Sequence, residues 1–215
     1  MLDRPTPRGR HAPPLAVRQD QQRRRLFAAA GAVFARQGYA DATAEGIARE
    51  AGMSKATFYE HFDNKEDCIV ALFDAAAAAI VTAMRDASGL EQADPAGRYR
   101  AAIDAVLDTL AAFPDEAQTL LVEIVGAGPR AMAHRDRVMD DLAAFIDASN
   151  RAEAEAGVVP RFASAEDPFA IVGAVIELAS RQVRTGRPER LADLGPVVER
   201  LVHGMLETSG DRAPA

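Results

Sequence analysis

Residues 43–65, TAEGIAREAGMSKATFYEHFDNK, constrain the fold more than any other stretch of the chain. They contain two short helical patterns separated by Gly52, which permits the left-handed turn between two closely packed helices. Ser54 is a residue type that caps a helix, and Phe58 and Phe62 lie four residues apart on one face of the helix that follows. The stretch therefore predicts a helix-turn-helix whose second helix buries its phenylalanines and exposes its amino-terminal turn.

The rest of the chain also has helical patterns. Alanine is abundant, apolar residues recur at intervals of three and four, and alternating runs typical of strands are lacking. We expect an all-α protein with an N-terminal three-helix helix-turn-helix domain at residues 20–82 and a C-terminal helical domain at residues 83–208. Residues 1–19 and 209–215 have the composition of disordered tails. A long helix beginning at Lys65 is expected to connect the two domains.

The charge of the chain is distributed unevenly. The formal net charge is -7, which by itself argues against nucleic-acid binding. Residues 1–67, however, hold 11 Lys/Arg against 9 Asp/Glu, whereas residues 68–215 hold 14 against 23. The first part is free to approach phosphate, but its small excess of positive charge means that DNA affinity must depend on local placement and on two copies of the domain.

Few other classes of protein fit this sequence. The single cysteine, Cys68, excludes an internal disulfide framework and is expected to be a small buried residue rather than a redox sensor. The apolar run at residues 75–84 is shorter than the roughly 20 residues of a membrane span, and the N-terminus has no apolar signal core. We expect a cytoplasmic protein without a metal or cofactor. Common catalytic and phosphate-loop motifs are absent, so we expect no enzyme.

The run FARQGYADATAEGIAREAGMSKATFYEHFDNKEDCIVALF resembles the DNA-binding domain of the TetR/AcrR family of bacterial regulators. It has that family's phenylalanine, Gly-Tyr, Ile-Ala, Ala-Gly, Ser-Lys, Phe-Tyr, His-Phe and Lys-Glu landmarks in order. Gly46 and Ala44 depart from the usual pattern. The resemblance implies a homodimer that binds double-stranded operator DNA through paired helix-turn-helix domains and responds to a small molecule bound in its C-terminal domain.

The resemblance also implies roles for individual residues. Lys55, Ala56 and Thr57 would enter the major groove, where their side chains suit base edges and a thymine methyl group. Arginines in the early turns of the first helix oppose the helix dipole, a cost that a bound phosphate would remove. Taken singly, these side chains are more often solvated or structural; as a set they indicate a DNA interface. The predicted DNA-binding residues are Arg24, Arg25, Thr43, Lys55, Ala56, Thr57, Tyr59, His61 and Lys65, of which Tyr59, His61 and Lys65 would hold phosphates.

The C-terminal domain offers candidate walls for an effector pocket. The expected ligand is apolar or aromatic, but the same residues fit an ordinary core equally well. Residues 169–176 are apolar nearly all round and would be covered on two sides, as in a four-helix dimer interface with the last helix of each chain. A monomer in which both helices complete one core is the alternative. The candidate pocket residues are Phe113, Leu121, Ile124, Phe145, Phe169, Val172 and Ile176.

The sequence therefore predicts a ligand-responsive transcriptional regulator, a repressor by the usual behaviour of the family, released from a palindromic operator by its ligand. One alternative is a helical small-molecule-binding or catalytic protein whose helix-turn-helix contacts protein. A DNA-binding architectural dimer without an effector is a second.

Overall fold

A computed structural model describes residues 14–88 and 95–210. The tails expected at the two ends fall partly outside these residues. Within them, the first helix already begins at Leu15 and the last continues to Gly210. The expected tail boundaries at residues 19 and 209 are therefore wrong, because residues 15–19 and 209–210 are helical.

The described residues form α-helices and two short 3-10 helices, in agreement with the predicted all-α fold. The 3-10 helices are Glu123–Gly126 and Leu191–Leu194. The α-helices are α1 (Leu15–Asp41), α2 (Ala44–Glu50), α3 (Lys55–Tyr59), α4 (Lys65–Ser88), α5 (Pro95–Ala112), α6 (Pro114–Leu121), α7 (Pro129–Glu155), α8 (Glu166–Thr185) and α9 (Gly195–Gly210).

The N-terminal domain is built around a small aromatic core. Phe34 of α1, Ile47 of α2, Phe58 of α3 and Ile69 of α4 are all fully buried in one cluster. The regular part of α1 ends at Gly38, whose φ of 79° suits a glycine at a helix C-terminus. These contacts fix α3 against α1 and α2, so that its other face points away from the protein.

This core does not end at the expected domain boundary. Ile124 in the first 3-10 helix, Ala127 after it and Ala131 of α7 belong to the same buried cluster as the helix-turn-helix residues. The sequence predicts a boundary at residue 82, inside α4, with that helix as the connection. The structure adds a second connection, through the segment that follows α6.

The C-terminal domain surrounds α5 and α8. Its buried clusters combine Leu107 and Leu110 of α5 with Ala179 of α8, and Ile171 of α8 with Val198 of α9. The helix that begins at Pro114 is broken at Val122, whose φ and ψ are -122° and -58°, and the chain continues as a 3-10 helix. This break places residues on its two sides in different cores.

Among the described residues, α4 is long and apolar enough to cross a membrane by length and composition alone. The apolar run at residues 75–84 is only the central part of this helix. In the fold, α4 packs against α1, α5 and α7, and Ile69, Leu72 and Phe73 in its first half are buried in the N-terminal core. We therefore interpret α4 as the helix shared by two domain cores.

Candidate nucleic-acid interface and internal cavity

The amino-terminal turn of α3 is exposed and well defined. Ser54 caps the helix, with its Oγ accepting a hydrogen bond from the Thr57 backbone N–H at 3.0 Å and lying 2.9 Å from Thr57 Oγ1. Phe58 is fully buried beneath this turn. Lys55 and Ala56 are exposed, and Thr57 is half-buried. A short helix thus presents a cation, a methyl group and a hydroxyl from one rigid turn, which is the chemistry that reads base edges.

Lys55 is available for a partner. Its Nζ lies 3.9 Å from Glu45 Oε2, and both side chains are more than half exposed. An exposed ion pair of that length contributes little, so the ammonium can leave it for a phosphate or base at small cost. Tyr59, one turn further on, is 48% exposed. Its ring lies edge-on to that of Phe58, which positions the phenol at the surface.

Lys65 has structural partners that the sequence did not predict. Its Nζ donates hydrogen bonds to the backbone oxygens of Tyr39, Ala40 and Ala42 at 2.8, 3.0 and 3.0 Å. It also lies 4.4 Å from the centroid of the Tyr39 ring. The ammonium satisfies carbonyls that α1 leaves unpaired at its C-terminus. All three of its donors are used within the protein, so these bonds give Lys65 a structural role in the N-terminal domain.

Lys65→Met is therefore expected to destabilise the protein. The change leaves partly buried carbonyl oxygens without a donor, at a cost of about 1–3 kcal/mol. Denaturant unfolding of the pure protein measures this loss. Lys55→Met, which replaces the same side chain at an exposed site, is the matched control and should leave the midpoint within about 0.5 kcal/mol. Equal stability of the two variants would contradict the role assigned to Lys65.

Three other predicted contacts have structural partners. Arg25 Nη2 donates to the Ala51 carbonyl at 2.7 Å, which ties α1 to the turn between α2 and α3. Thr43 Oγ1 accepts from the Gly46 N–H at 3.0 Å as the cap of α2. The Nε2 of His61 lies 3.2 Å from the side-chain oxygen of Gln22. Bonds of this kind position the helix-turn-helix, and none of them tests contact with DNA.

The arginines of α1 differ in their surroundings. Arg24 pairs with Asp20 at 2.9 Å on an open surface, where the pair is readily exchanged for a phosphate. Arg23, which sequence reasoning did not select, lies about 5 Å over the rings of both Phe27 and Phe62. That cation–π contact stabilises a positive charge in the first turns of α1 without a bound phosphate. Only the spacing of two aromatic side chains in the tertiary fold reveals it.

An apolar cavity of about 150 Å³ lies inside the C-terminal domain. Its walls come from α4, α5, α6, α7, α8 and α9, and among its lining residues only Arg135 and Tyr99 carry polar side-chain groups. An apolar cavity of this size excludes water and accepts an apolar guest. The arrangement is suited to binding an apolar molecule.

Three of the seven predicted pocket residues line this cavity, and four do not. Leu121, Val172 and Ile176 line the cavity. Ile124 is instead buried in the N-terminal core, and Phe145 lies under the guanidinium of Arg85 at 5.0 Å. Phe113 and Phe169 are 56% and 39% exposed and do not line it. These four predictions failed because an apolar helical stripe does not reveal which helix it will face.

Arg135 is a lining residue that sequence reasoning missed. It lies among Ala131, Val138, Met139 and Leu142, all on the inner face of α7. The sequence signal that could have identified Arg135 is a charged residue within an apolar stripe at helical spacing.

A polar contact joins the cavity wall to the DNA-binding domain. Glu123 Oε2 accepts a hydrogen bond from the Tyr39 backbone N–H at 2.8 Å, and Gln118 Nε2 donates to Glu123 Oε1 at 3.0 Å. Leu120 and Leu121 of the same segment line the cavity. Sequence reasoning missed Glu123, because nothing in its local pattern shows a contact 84 residues away.

Cys68 is fully buried in the N-terminal core, as predicted. Burial raises the pKa of its thiol to about 12, against which the nearby Arg23 acts only weakly. The thiol is therefore protonated at neutral pH and is a poor nucleophile. Across residues 14–88 and 95–210, no group of three or more His, Cys, Asp or Glu side chains is placed to hold a metal ion.

Comparison with known proteins gives consistent results for the N-terminal domain. Residues 26–72 match the family model described as bacterial regulatory proteins, tetR family. The HTH-type transcriptional activator FasR of Mycolicibacterium smegmatis is 34% identical over 90 residues. That alignment covers 42% of this chain and 41% of FasR, so the chain matches less than half the length of this relative.

Solved structures extend the likeness to the whole fold. Fatty acid degradation regulator FadR from Bacillus halodurans has a TM-score of 0.77 and 23% identity, covering 86% of this chain and 96% of its own. Transcriptional regulator FadR from Bacillus subtilis, in complex with stearoyl-CoA, has a TM-score of 0.73 and 20% identity, covering 83% and 96%. The TetR family regulator PfmR from Thermus thermophilus has a TM-score of 0.59 and 26% identity, covering 83% and 93%. The first two likenesses concern the fold alone.

Proposed function

We propose that the chain is a DNA-binding transcriptional regulator of the tetR type, which binds a palindromic operator as a homodimer and is released by an apolar ligand. The match of residues 26–72 to the tetR family model and the likeness of the whole fold to solved regulators support this proposal. The DNA-binding part of this proposal rests on one observation, the exposed and capped turn of α3 above a buried phenylalanine. Repression is the proposed output, since release by a ligand then switches expression on.

In the proposed complex, the amino-terminal turn of α3 enters the major groove. Lys55, Ala56 and Thr57 meet base edges, and Tyr59 and Arg24 approach the flanking phosphates. Arg25, Thr43 and His61 support these residues through the contacts that hold α1, α2 and α3 together. Few cations are thereby left for phosphate contacts, so affinity depends on two domains binding at once.

The proposed dimer forms through α8 and α9. Phe169 of α8 and Val197 of α9 are 39% and 40% exposed, whereas Ile171 and Val198 beside them are buried. A second copy related by a two-fold axis would cover the exposed apolar side chains and complete a four-helix arrangement. Two recognition helices in one dimer would then reach successive major grooves about 34 Å apart.

The proposed effector binds in the internal cavity. The cavity is almost wholly apolar and is enclosed by helices that also contact the DNA-binding domain. Two proteins of similar fold are named for fatty acid degradation or were solved with stearoyl-CoA. These resemblances favour an effector with a hydrocarbon body, and the cavity walls are chemically suited to one.

We further propose that Glu123 connects the cavity to DNA binding. Leu120 and Leu121 line the cavity and lie two and three residues before Glu123, and Ser180 Oγ of α8 donates a hydrogen bond to the Leu121 carbonyl at 2.9 Å. A ligand that displaces these leucines would therefore move the segment that carries Glu123. That movement would pull Glu123 from the Tyr39 N–H and shift the end of α1. The ligand would thus favour a dimer whose recognition helices no longer match successive grooves.

Selection from random double-stranded DNA with the pure full-length protein is expected to return a palindrome. Its half-sites should lie about one helical turn, or a multiple of it, apart because the two copies of α3 are related by symmetry. Binding should weaken steeply with salt. Enrichment of a single asymmetric half-site, or of no sequence, would contradict the proposed dimeric operator complex.

A further inference from the structure

The cavity that we propose as the effector site is a narrow channel. Three of its helices each line it along a segment of twelve residues: Phe73 to Met84 of α4, Tyr99 to Leu110 of α5, and Arg135 to Ile146 of α7. The eleven helical steps between the ends of such a segment span about 16 Å. A volume of about 150 Å³ distributed over that length leaves room for one unbranched chain rather than for a compact ring system.

The two polar residues of the lining lie at opposite ends of this channel. The rings of Phe73 and His134 are 6.0 Å apart, and Arg85 lies 5.0 Å from the ring of Phe145, so α4 and α7 run side by side in the same direction. Arg135 therefore lies at the end of the channel that faces the DNA-binding domain. Tyr99 lies beside the C-terminal part of α7, at the opposite end.

The Tyr99 end is closed by a network within the protein. The Tyr99 hydroxyl accepts a hydrogen bond from Asn150 Nδ2 at 3.3 Å, and the carboxylate of Glu153 lies nearby. Asn150, which is 1% exposed, also donates to the Pro160 carbonyl and accepts from the Phe162 N–H. Burial is the main cause of the raised pKa of Tyr99, so its hydroxyl stays protonated. Glu153 Oε1 also lies 3.5 Å from Arg98 Nη1, whereas its Oε2 is buried without a hydrogen-bond partner among the described residues. A carboxylate already held at this end disfavours a second anion, so a ligand is expected to place hydrocarbon here.

The Arg135 end is different. The side chain of Arg135 is 19% exposed, and its Nη1 lies 3.6 Å from Asp136 Oδ1, on a side chain that is 65% exposed. Arg135 thus lines the channel with a partly exposed side chain, and its guanidinium makes a long contact with a solvated carboxylate. A charge held this way at the mouth of an apolar channel is suited to an anion attached to the chain inside.

We propose that the effector is a straight-chain anionic amphiphile, whose carboxylate binds Arg135 at the mouth of the channel and whose hydrocarbon tail extends toward Tyr99. This inference rests on the proposed function, since it assumes that the cavity is the effector site. It adds the chemical class of the ligand, its orientation and the residue that selects it.

Dodecanoate and dodecan-1-ol are suitable probes, because their extended length is similar to that of the channel and only one of them is charged. Isothermal titration with the full-length protein should show that dodecanoate binds on the order of tenfold more tightly than dodecan-1-ol. Arg135→Met keeps an apolar stem and should abolish this preference while leaving the affinity for dodecan-1-ol within about twofold. Arg135→Lys should retain part of it.

Arg137→Met is the matched control, since Arg137 is exposed two residues further along α7 and does not line the channel. It should bind both probes as the wild-type protein does. Equal affinity of the wild type for acid and alcohol would overturn the anionic assignment but leave the cavity as an effector site. Binding of neither probe would overturn both, and operator binding by the same protein would still test the DNA-binding half of the proposed function.

Discussion

Replacing Lys55 and Thr57 together with alanine is expected to weaken specific operator binding by on the order of 100-fold or more. Each side chain that reads a base edge contributes about 1–3 kcal/mol, and each is present twice in a dimer. The fold should be unaffected, because Ser54 still caps α3 through the Thr57 backbone N–H and Phe58 stays buried. Fluorescence anisotropy with the selected palindrome, at fixed salt, measures the loss.

The control is a double variant that removes the same kinds of group elsewhere. Arg151→Ala with Thr82→Ala deletes one exposed cation and one exposed hydroxyl, both outside the N-terminal core. Its operator affinity should match that of the wild type. If the Lys55 and Thr57 double variant kept its affinity and its preference for the palindrome, the assignment of α3 as the recognition helix would be wrong, and a protein-binding helix-turn-helix would become the better explanation.

Glu123→Ala is expected to uncouple ligand binding from DNA release. In the wild type, a saturating effector should reduce operator affinity by a factor of about 5–150, the usual range of allosteric coupling. The variant loses the bond to the Tyr39 N–H but keeps the lining of the cavity. It should therefore bind dodecanoate normally, while the effector changes operator affinity by less than about twofold.

Hydrogen exchange provides a second readout that needs no ligand. The Tyr39 amide should lose protection in Glu123→Ala, because its acceptor is removed. Glu155→Ala, an exposed carboxylate near the end of α7, is the matched control and should change neither quantity. A Glu123→Ala protein whose operator affinity still responds fully to dodecanoate would show that the signal travels by another route, such as α4 alone.

In the C-terminal domain, apolar spacing predicts the helices but only part of the cavity lining. In the sequence, Pro95 and Pro114 mark the starts of α5 and α6, and Gly157 follows the end of α7. The apolar stripes of α5, α7 and α8 are also visible in the sequence. Leu121, Val172 and Ile176 were assigned to the cavity, but Ile124 was assigned there as well and lies in the other core. The break at Val122 separates Leu121 from Ile124, and no proline or glycine marks it.

Residue type alone also does not show which lysines are exposed and which are hydrogen-bonded within the protein. Lys55 and Lys65 are the same residue type in one motif, and the sequence predicts a DNA contact for both. One extends into solvent, whereas the other reaches three carbonyls at the end of α1. The difference depends on where α1 ends relative to α4, a distance that becomes fixed only when the helices pack.

The sequence by itself determined the all-α class, the helix-turn-helix and the exposed turn of α3, because capping residues, glycine turns and apolar spacing act over a few residues. Only the tertiary structure decided which cations are free, which apolar side chains enclose the channel, and that Glu123 joins the two domains. Those features depend on contacts between residues far apart in the chain, which local patterns do not specify.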